Sequence, residues 1–350
     1  MRFWRRLFGS GRSAPAEPPA PYAPRLLKNA QDLQVLLEQS GFAAAADQIE
    51  RLALPCLDIL HVGSGHEAPL GASRLGGAPD LPTDVVWPTA PSGALLSFYG
   101  QIDLAEPELA ALDSGLPGEG LLSLFVGAFD AALEPAPVAV ILSPAGSALQ
   151  RRPSPAPPEA FDDEHTARLN PVMVSFEKRL SFPPLDHAAA DSLQAICPEG
   201  DIDTLFDGLG AHPSTLGPWL GQWLGHAPSP LEDLRATIYF HEAGRPGQER
   251  LRIWTTWEGW ERAKTTSSRL RNGTIYRPWS AKDDDNVRWQ LAHKAEIDAG
   301  VARCRSLLTI QSNKPMDLWI NDADPAYTFI QADDLARGDV SRVRVIATQG

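Results

Sequence analysis

Only three cysteines occur in 350 residues, Cys56, Cys197 and Cys304, and no two form a C-x-x-C pair. Spacing therefore gives no sign of a zinc knuckle or a dithiol redox site, and isolated thiols fit small buried residues in a reducing compartment. Basic charge is also short, with 31 Lys and Arg against 44 Asp and Glu and a net charge of −13. Nucleic-acid binders carry the opposite balance, so no nucleic acid is expected as a partner. A basic protein surface is the better electrostatic match. No run of about 18 apolar residues is present to span a membrane. The opening residues lack the apolar stretch and small-residue cleavage site of a secretory signal, so a cytoplasmic location is expected. Catalytic signatures are missing too. There is no G-x-S-x-G elbow around Ser73 and no G-x-x-x-x-G-K-[ST] phosphate loop, and Gly71 to Gly77 lacks the strand-to-helix setting of a dinucleotide fingerprint. The expectation is a protein without catalytic residues, metal or cofactor.

Proline and glycine are plentiful, 32 and 28 residues, and they concentrate in the stretch around which the chain is organised. From Gly71 to Leu104 it reads GASRLGGAPDLPTDVVWPTAPSGALLSFYGQIDL. Pro79, Pro82 and Pro88 lack amide donors and restrict the residues before them, so Gly76 to Pro88 is neither helix nor central strand but a fixed irregular loop. Ala94 to Leu104, rich in apolar and aromatic residues, reads as the strand that seats it. Arg74, Gly76, Gly77, Trp87, Gln101 and Asp103 are the candidate binding residues here, the paired glycines permitting close backbone approach. Asp322 near the C-terminus joins them. The plainer alternative is that proline and tryptophan cap one end of a barrel or sandwich.

Residues 1–24 read as a basic aromatic turn, with Phe3, Trp4 and Arg5, followed by a Pro-rich linker. Such a turn can touch an anionic membrane surface weakly, peripheral to the inner face. Residues 25–350 form the folded part, in halves at about 52–185 and 186–350. Leu26 to Leu54 carries helical spacing broken at Gly41, giving short helices that cover a sheet beginning at Leu57. Strands are expected at Leu121 to Val126, Ala136 to Leu142, Val172 to Phe182 (a pair or one long edge strand), Ala236 to Phe240, Leu251 to Trp257, Leu307 to Gln311 and Ala326 to Ile330, with Pro144 to Pro158 an exposed connection. Helices are expected after Glu106, near Ala188 to Ile196 and Asp201 to Leu209, and from Asp333. His61, His66 and Glu67 sit in a glycine loop without the helical spacing of zinc motifs. Ser97 to Ala105 echoes Thr328 to Ala336, each a strand running into an acidic helix start, which suggests duplication of the halves. The fold class is α+β, rich in mainly antiparallel sheet, with short covering helices at the N-terminus and between the halves.

The pattern S-R-L-G-G-x-P-x-L-P…W-P…L-x-F-x-x-Q-I-D-L, then Leu116-Pro117-Gly118-Glu119-Gly120 running into Leu121 to Phe125, resembles the YwqG-like family of bacterial proteins. Leu180 to Pro184, Gly221 to Gly225, Leu307 to Gln311 and Trp319…Asp322…Phe329 extend the resemblance over about 52–345. One departure is Asn321-Asp322-Ala323-Asp324, where the family pattern reads Gly-Asp-Ala-Gly. The stretch 227–303 matches least and reads as an elaboration. Seven of the ten tryptophans fall between Trp219 and Trp289, interleaved with arginines, either as core or as a stacking surface.

The family has no established activity, but the resemblance connects the chain with bacterial toxin loci. It implies a non-catalytic protein-binding module of the immunity or antitoxin type, with a toxin as partner. The alternative expectation is an enzyme or small-ligand binder with a pocket between the halves, where Arg74, Gln101, Asp103 and Asp322 converge.

Overall fold

The computed structural model describes residues 26–112, 114–131, 133–183, 187–211, 218–228, 234–247, 257–258, 260–261, 281–321 and 323–348. Phe3, Trp4, Arg5, the Pro-rich linker, Asp322 and nearly all of the strand expected at Leu251 to Trp257 lie outside the described residues.

In chain order the described strands are β1 (Leu54–Ser64), β2 (Arg74–Leu75), β3 (Asp80–Pro82), β4 (Ser97–Asp103), β5 (Leu121–Val126), β6 (Val138–Ser143), β7 (Leu149–Arg151), β8 (Val172–Ser181), β9 (Trp219–Trp223), β10 (Cys304–Ile310), β11 (Ala326–Gln331) and β12 (Arg344–Ala347). Ten of them build one sheet in the order β12, β11, β10, β9, β1, β8, β2, β4, β5, β6. Every neighbouring pair in it is antiparallel. The segment that leads into β6 also meets β12. Ala136 bridges Val345, and the amides of Leu133 and Ala136 donate to the carbonyls of Ala347 and Val345 at 2.8 and 2.9 Å. The sheet therefore closes on itself, which pairs backbone groups that an open edge would expose. The α+β, mainly antiparallel architecture expected from the sequence is the one that forms.

Strand alternation decides what faces inward. On β1, Leu57 and Ile59 belong to the main core, with Ile102, Leu122, Leu124, Phe176, Trp223 and Leu308 from the neighbouring strands. Cys56 and Asp58, at the intervening positions, take the opposite face. Eight strands enclose a space that their own side chains just fill, whereas ten enclose more. Four segments supply the difference: Met316, Leu318 and Ile320 from one loop, and Leu109, Leu335 and Val340 from one segment each, all join the same buried cluster.

Helices Ala30–Ser40, Ala46–Glu50, His187–Ile196 and Ile202–Leu209 cover the outside near β8, packing Leu33, Leu36, Leu37, Leu193 and Leu205 against Phe182. The first is capped by the Asn29 side chain, which accepts from the amides of Gln31 and Asp32, and ends at left-handed Gly41. Burying each such leucine is worth about 1.5–3 kcal/mol.

Three expectations need correction. Ala236 to Phe240 is not a strand but part of helix Leu234–Glu242. The apparent period of two is a pair of i, i+4 stripes on opposite sides: Leu234 and Ile238 face Cys304, Tyr327 and Phe329, while Ala236 and Phe240 face Ile297 and Val301. The long β8 is not an edge strand, since β1 and β2 flank it. The Pro144 to Pro158 connection contains β7, which pairs with β3 inside the organising loop. No helix among the described residues is long and apolar enough to cross a membrane.

Candidate functional site

The organising loop is built around one carboxylate. Asp80 is fully buried on β3, and its oxygens accept six hydrogen bonds: from Gly71 N at 3.0 Å, Arg74 Nη1 and Nη2 at 2.8 and 3.2 Å, Gln101 Nε2 at 2.9 Å, and Arg151 Nε and Nη2 at 2.9 and 3.2 Å. The Asp80 amide donates to Gln101 Oε1 at 2.9 Å, and Arg74 also donates to the Ala78 carbonyl. Four segments converge here, because β2 and β4 pair across Arg74 and Gln101 while β3 and β7 pair across Asp80 and Arg151. Burial alone pushes the Asp80 carboxyl up. The hydrogen bonds from Arg74, Arg151, the Gly71 amide and Gln101 outweigh it and hold the group well below the usual carboxylate range. A carboxylate so saturated neither takes nor gives a proton near neutrality, and its role is to fasten the loop.

Gly76 and Gly77 follow β2 with φ of 66° and 76°. Gly76 N donates to Tyr99 O and Gly77 N to Leu169 O, both at 2.9 Å, so the turn is clamped between β4 and the segment before β8. A Cβ on Gly76 would stand 2.2 Å from Asn170 O, and one on Gly77 2.7 Å from Pro171 Cβ. Trp87 lies apart from the ionic network. It caps a separate apolar cluster, edge-on to Phe125 and Phe161, with Nε1 donating to Leu96 O at 2.9 Å. Asp103 is apart too: its amide donates to Ser73 Oγ, and its carboxylate accepts from Ala105 N at 3.0 Å. The structure thus brings Arg74, Gly76, Gly77 and Gln101 together, with Arg74 and Gln101 buried, and Asp322 lies outside the described residues.

Sequence reasoning missed Asp80 and Arg151, the centre and outer clamp of the network. The available signal was a lone carboxylate in an apolar Pro-Asp-Leu-Pro context six residues after an arginine. It also missed a second buried network, on the outer face of the sheet where β1, β8 and β9 meet. There Arg179 Nε donates to both oxygens of Asp58 at 3.0 and 2.9 Å, Trp219 Nε1 donates to Asp58 at 3.2 Å, and Arg179 Nη2 donates to Gln222 Oε1 at 2.5 Å. Burial raises the Asp58 carboxyl despite the charge and hydrogen bonds of Arg179. Burial likewise pushes the Cys56 thiol up to about 12, so it is no nucleophile near neutrality. Among the described residues no three His, Cys, Asp or Glu side chains are grouped to hold a metal.

Fold and site together are a closed antiparallel sheet carrying a proline-stiffened loop that is fastened by a buried ion network. The profile of a family described as Domain of unknown function (DUF1963) matches residues 73–149, from just before β2 to the first residue of β7. That match takes in the loop, Asp80 and Gln101, and stops short of Arg151 and of the β1, β8, β9 network. No curated protein matches the chain.

Proposed function

We propose that this chain is a non-catalytic protein-binding module of the YwqG-like kind, serving in the cytoplasm as an immunity-type protein that neutralises a toxin. The observation that carries the reading is the contrast within one loop. Its base is immobilised by the six-bonded Asp80, while its crest exposes Thr83, Asp84 and Val86, the last with 83% of its surface open. A rigid segment loses little conformational entropy on docking, so an apolar tip held this way is a favourable anchor. The chain's net charge of −13 adds long-range attraction for a basic active-site face. The test is co-expression with the products of the genes on either side of this one, assayed for toxicity. Wild type should restore growth and co-purify, and Val86→Glu should weaken binding about tenfold or more without lowering Tm. Failure of the wild-type chain both to protect and to co-purify would overturn the proposal.

A further inference from the structure

The helical cover beside β8 carries charge of one sign. Residues 180–234 contain no Lys or Arg, yet eight of them are Asp or Glu. Four of these carboxylates, Glu199, Asp201, Asp203 and Asp207, stand exposed on helix Ile202–Leu209 and the turn before it. Asp203 and Asp207 are four residues apart, so two like charges share one helix face and weaken the helix unless a cation answers them. Among the described residues neither has a salt-bridge partner, and nearby Lys28 is already paired with Glu177 at 2.9 Å. Next to the aspartates runs an apolar stripe. Ile202 and Phe206, also four apart, are half-buried, and Ile196 at the end of helix His187–Ile196 keeps 45% of its surface open.

The start of the chain has the complementary pattern. Residues 1–12 include Arg2, Arg5, Arg6 and Arg12 and no carboxylate, with Arg2 and Arg6 four apart and Phe3 and Leu7 four apart. The tether also begins in the right place. Leu27 packs in the same buried cluster as Leu193 and Leu205, and its carbonyl accepts from Leu180 N at 2.7 Å. Residues 13–25, with five prolines, can span about 40 Å at the ~3.1 Å per residue of a Pro-rich chain.

We infer that Ile196, Ile202, Phe206, Asp203 and Asp207 form the docking face for this chain's own residues 2–8. The arginines of that segment meet the two aspartates, and its aromatic residues meet the apolar stripe. Exposed ion pairs are individually weak. A short tether raises the local concentration of the segment to the order of millimolar, so a contact too weak to join two molecules closes within one. The same eight residues are too short an apolar stretch to hold a membrane firmly, which leaves the tethered acidic face as the nearer target. The contact uses none of residues 83–86, so it holds whether or not that loop docks a protein.

The test uses the full chain with p-benzoylphenylalanine in place of Trp4, irradiated and mapped by mass spectrometry. Cross-links should form within one molecule and fall on residues 196–207. Asp203→Lys with Asp207→Lys should cut their yield about fivefold or more, and adding Arg2→Glu with Arg6→Glu to that variant should restore it. Both aspartates are exposed, so circular dichroism should show an unaltered fold. Cross-links scattered over the chain would overturn the inference, as would failure of the arginine reversal to restore them. Cross-links joining two molecules would overturn it in favour of a second copy. Absence of cross-links would also overturn it, and co-sedimentation of that chain with phosphatidylglycerol vesicles would then assign the segment to a membrane.

Discussion

Asp80 shows how far one residue can govern a loop. Its depressed carboxyl means the folded state holds the ionised form more strongly than the unfolded chain does, whose Asp titrates near 3.9. The resulting stabilisation is fully present above about pH 4 and is lost as pH falls through that value toward the folded one. Replacing Asp80 by Asn leaves Arg74 buried against a neutral amide, and removing one partner of a buried pair costs about 3–5 kcal/mol. Urea unfolding at pH 7 should show that loss, and the gap between wild type and Asp80→Asn should narrow as pH is lowered from 5 to 2. A pH-independent gap would mean the carboxylate's charge is not what stabilises the loop. A smaller effect is expected at Ala323, exposed and held at φ 78°. A left-handed alanine is strained by about 1–2 kcal/mol. Glycine relieves that strain while giving back about 0.5–1 kcal/mol of chain entropy. Ala323→Gly should therefore raise stability by about 0.5–1 kcal/mol, read as a small increase in Tm.

Among the elements, the β2 turn is the least replaceable. Gly76→Ala meets both a left-handed φ and a carbonyl oxygen of the neighbouring backbone at 2.2 Å, which cannot rotate away as a side-chain end could. A loss of about 2–4 kcal/mol is expected in denaturant unfolding, at the upper end of what backbone strain costs. Gly118→Ala, in open space, should lose under about 1 kcal/mol. The turn was legible in the sequence because paired glycines between prolines announce special backbone geometry, and strands such as β4, β5, β10 and β11 were legible from continuous apolar runs. Helix Leu234–Glu242 was misread because a helix buried on two sides carries apolar residues at every second position and so imitates a strand. β9 went unread because its Trp-Leu-Gly-Gln-Trp run looks like a tryptophan motif rather than a ladder. Arg74 and Gln101 could be picked out beside the glycines, but Arg151, which shares Asp80 with them, could not, since only the pairing of β3 with β7 brings it within reach. The same holds for Asp58 and Arg179, 121 residues apart.

At the scale of the whole molecule, the two networks share one device. Gly100-Gln101 on β4 and Gly221-Gln222 on β9 each set a bare glycine against a neighbouring strand, where a Cβ would lie 2.5 Å from Leu75 Cδ2 and 2.0 Å from Thr309 O. Each then turns a glutamine amide into a buried ion pair. Between them runs the β1 and β8 pairing, the longest register in the sheet, and on the far side the circuit is completed, among the described residues, by the hydrogen bonds of Leu133 and Ala136 to β12. Closure makes the strands at each side of that seam mutually dependent, because among the described residues neither β6 nor β12 has another strand to pair with on its outer side. Ala136→Pro removes the donor to Val345 and should lower stability by about 1–3 kcal/mol, the range for a buried backbone group left unpaired. Hydrogen exchange should then quicken together in β6 and β12, although these strands are about 200 residues apart in the chain, while the β1 and β8 amides keep their protection. Faster exchange confined to β6, with β12 unchanged, would mean that the seam is ornamental and that β11 alone holds the last strand in place.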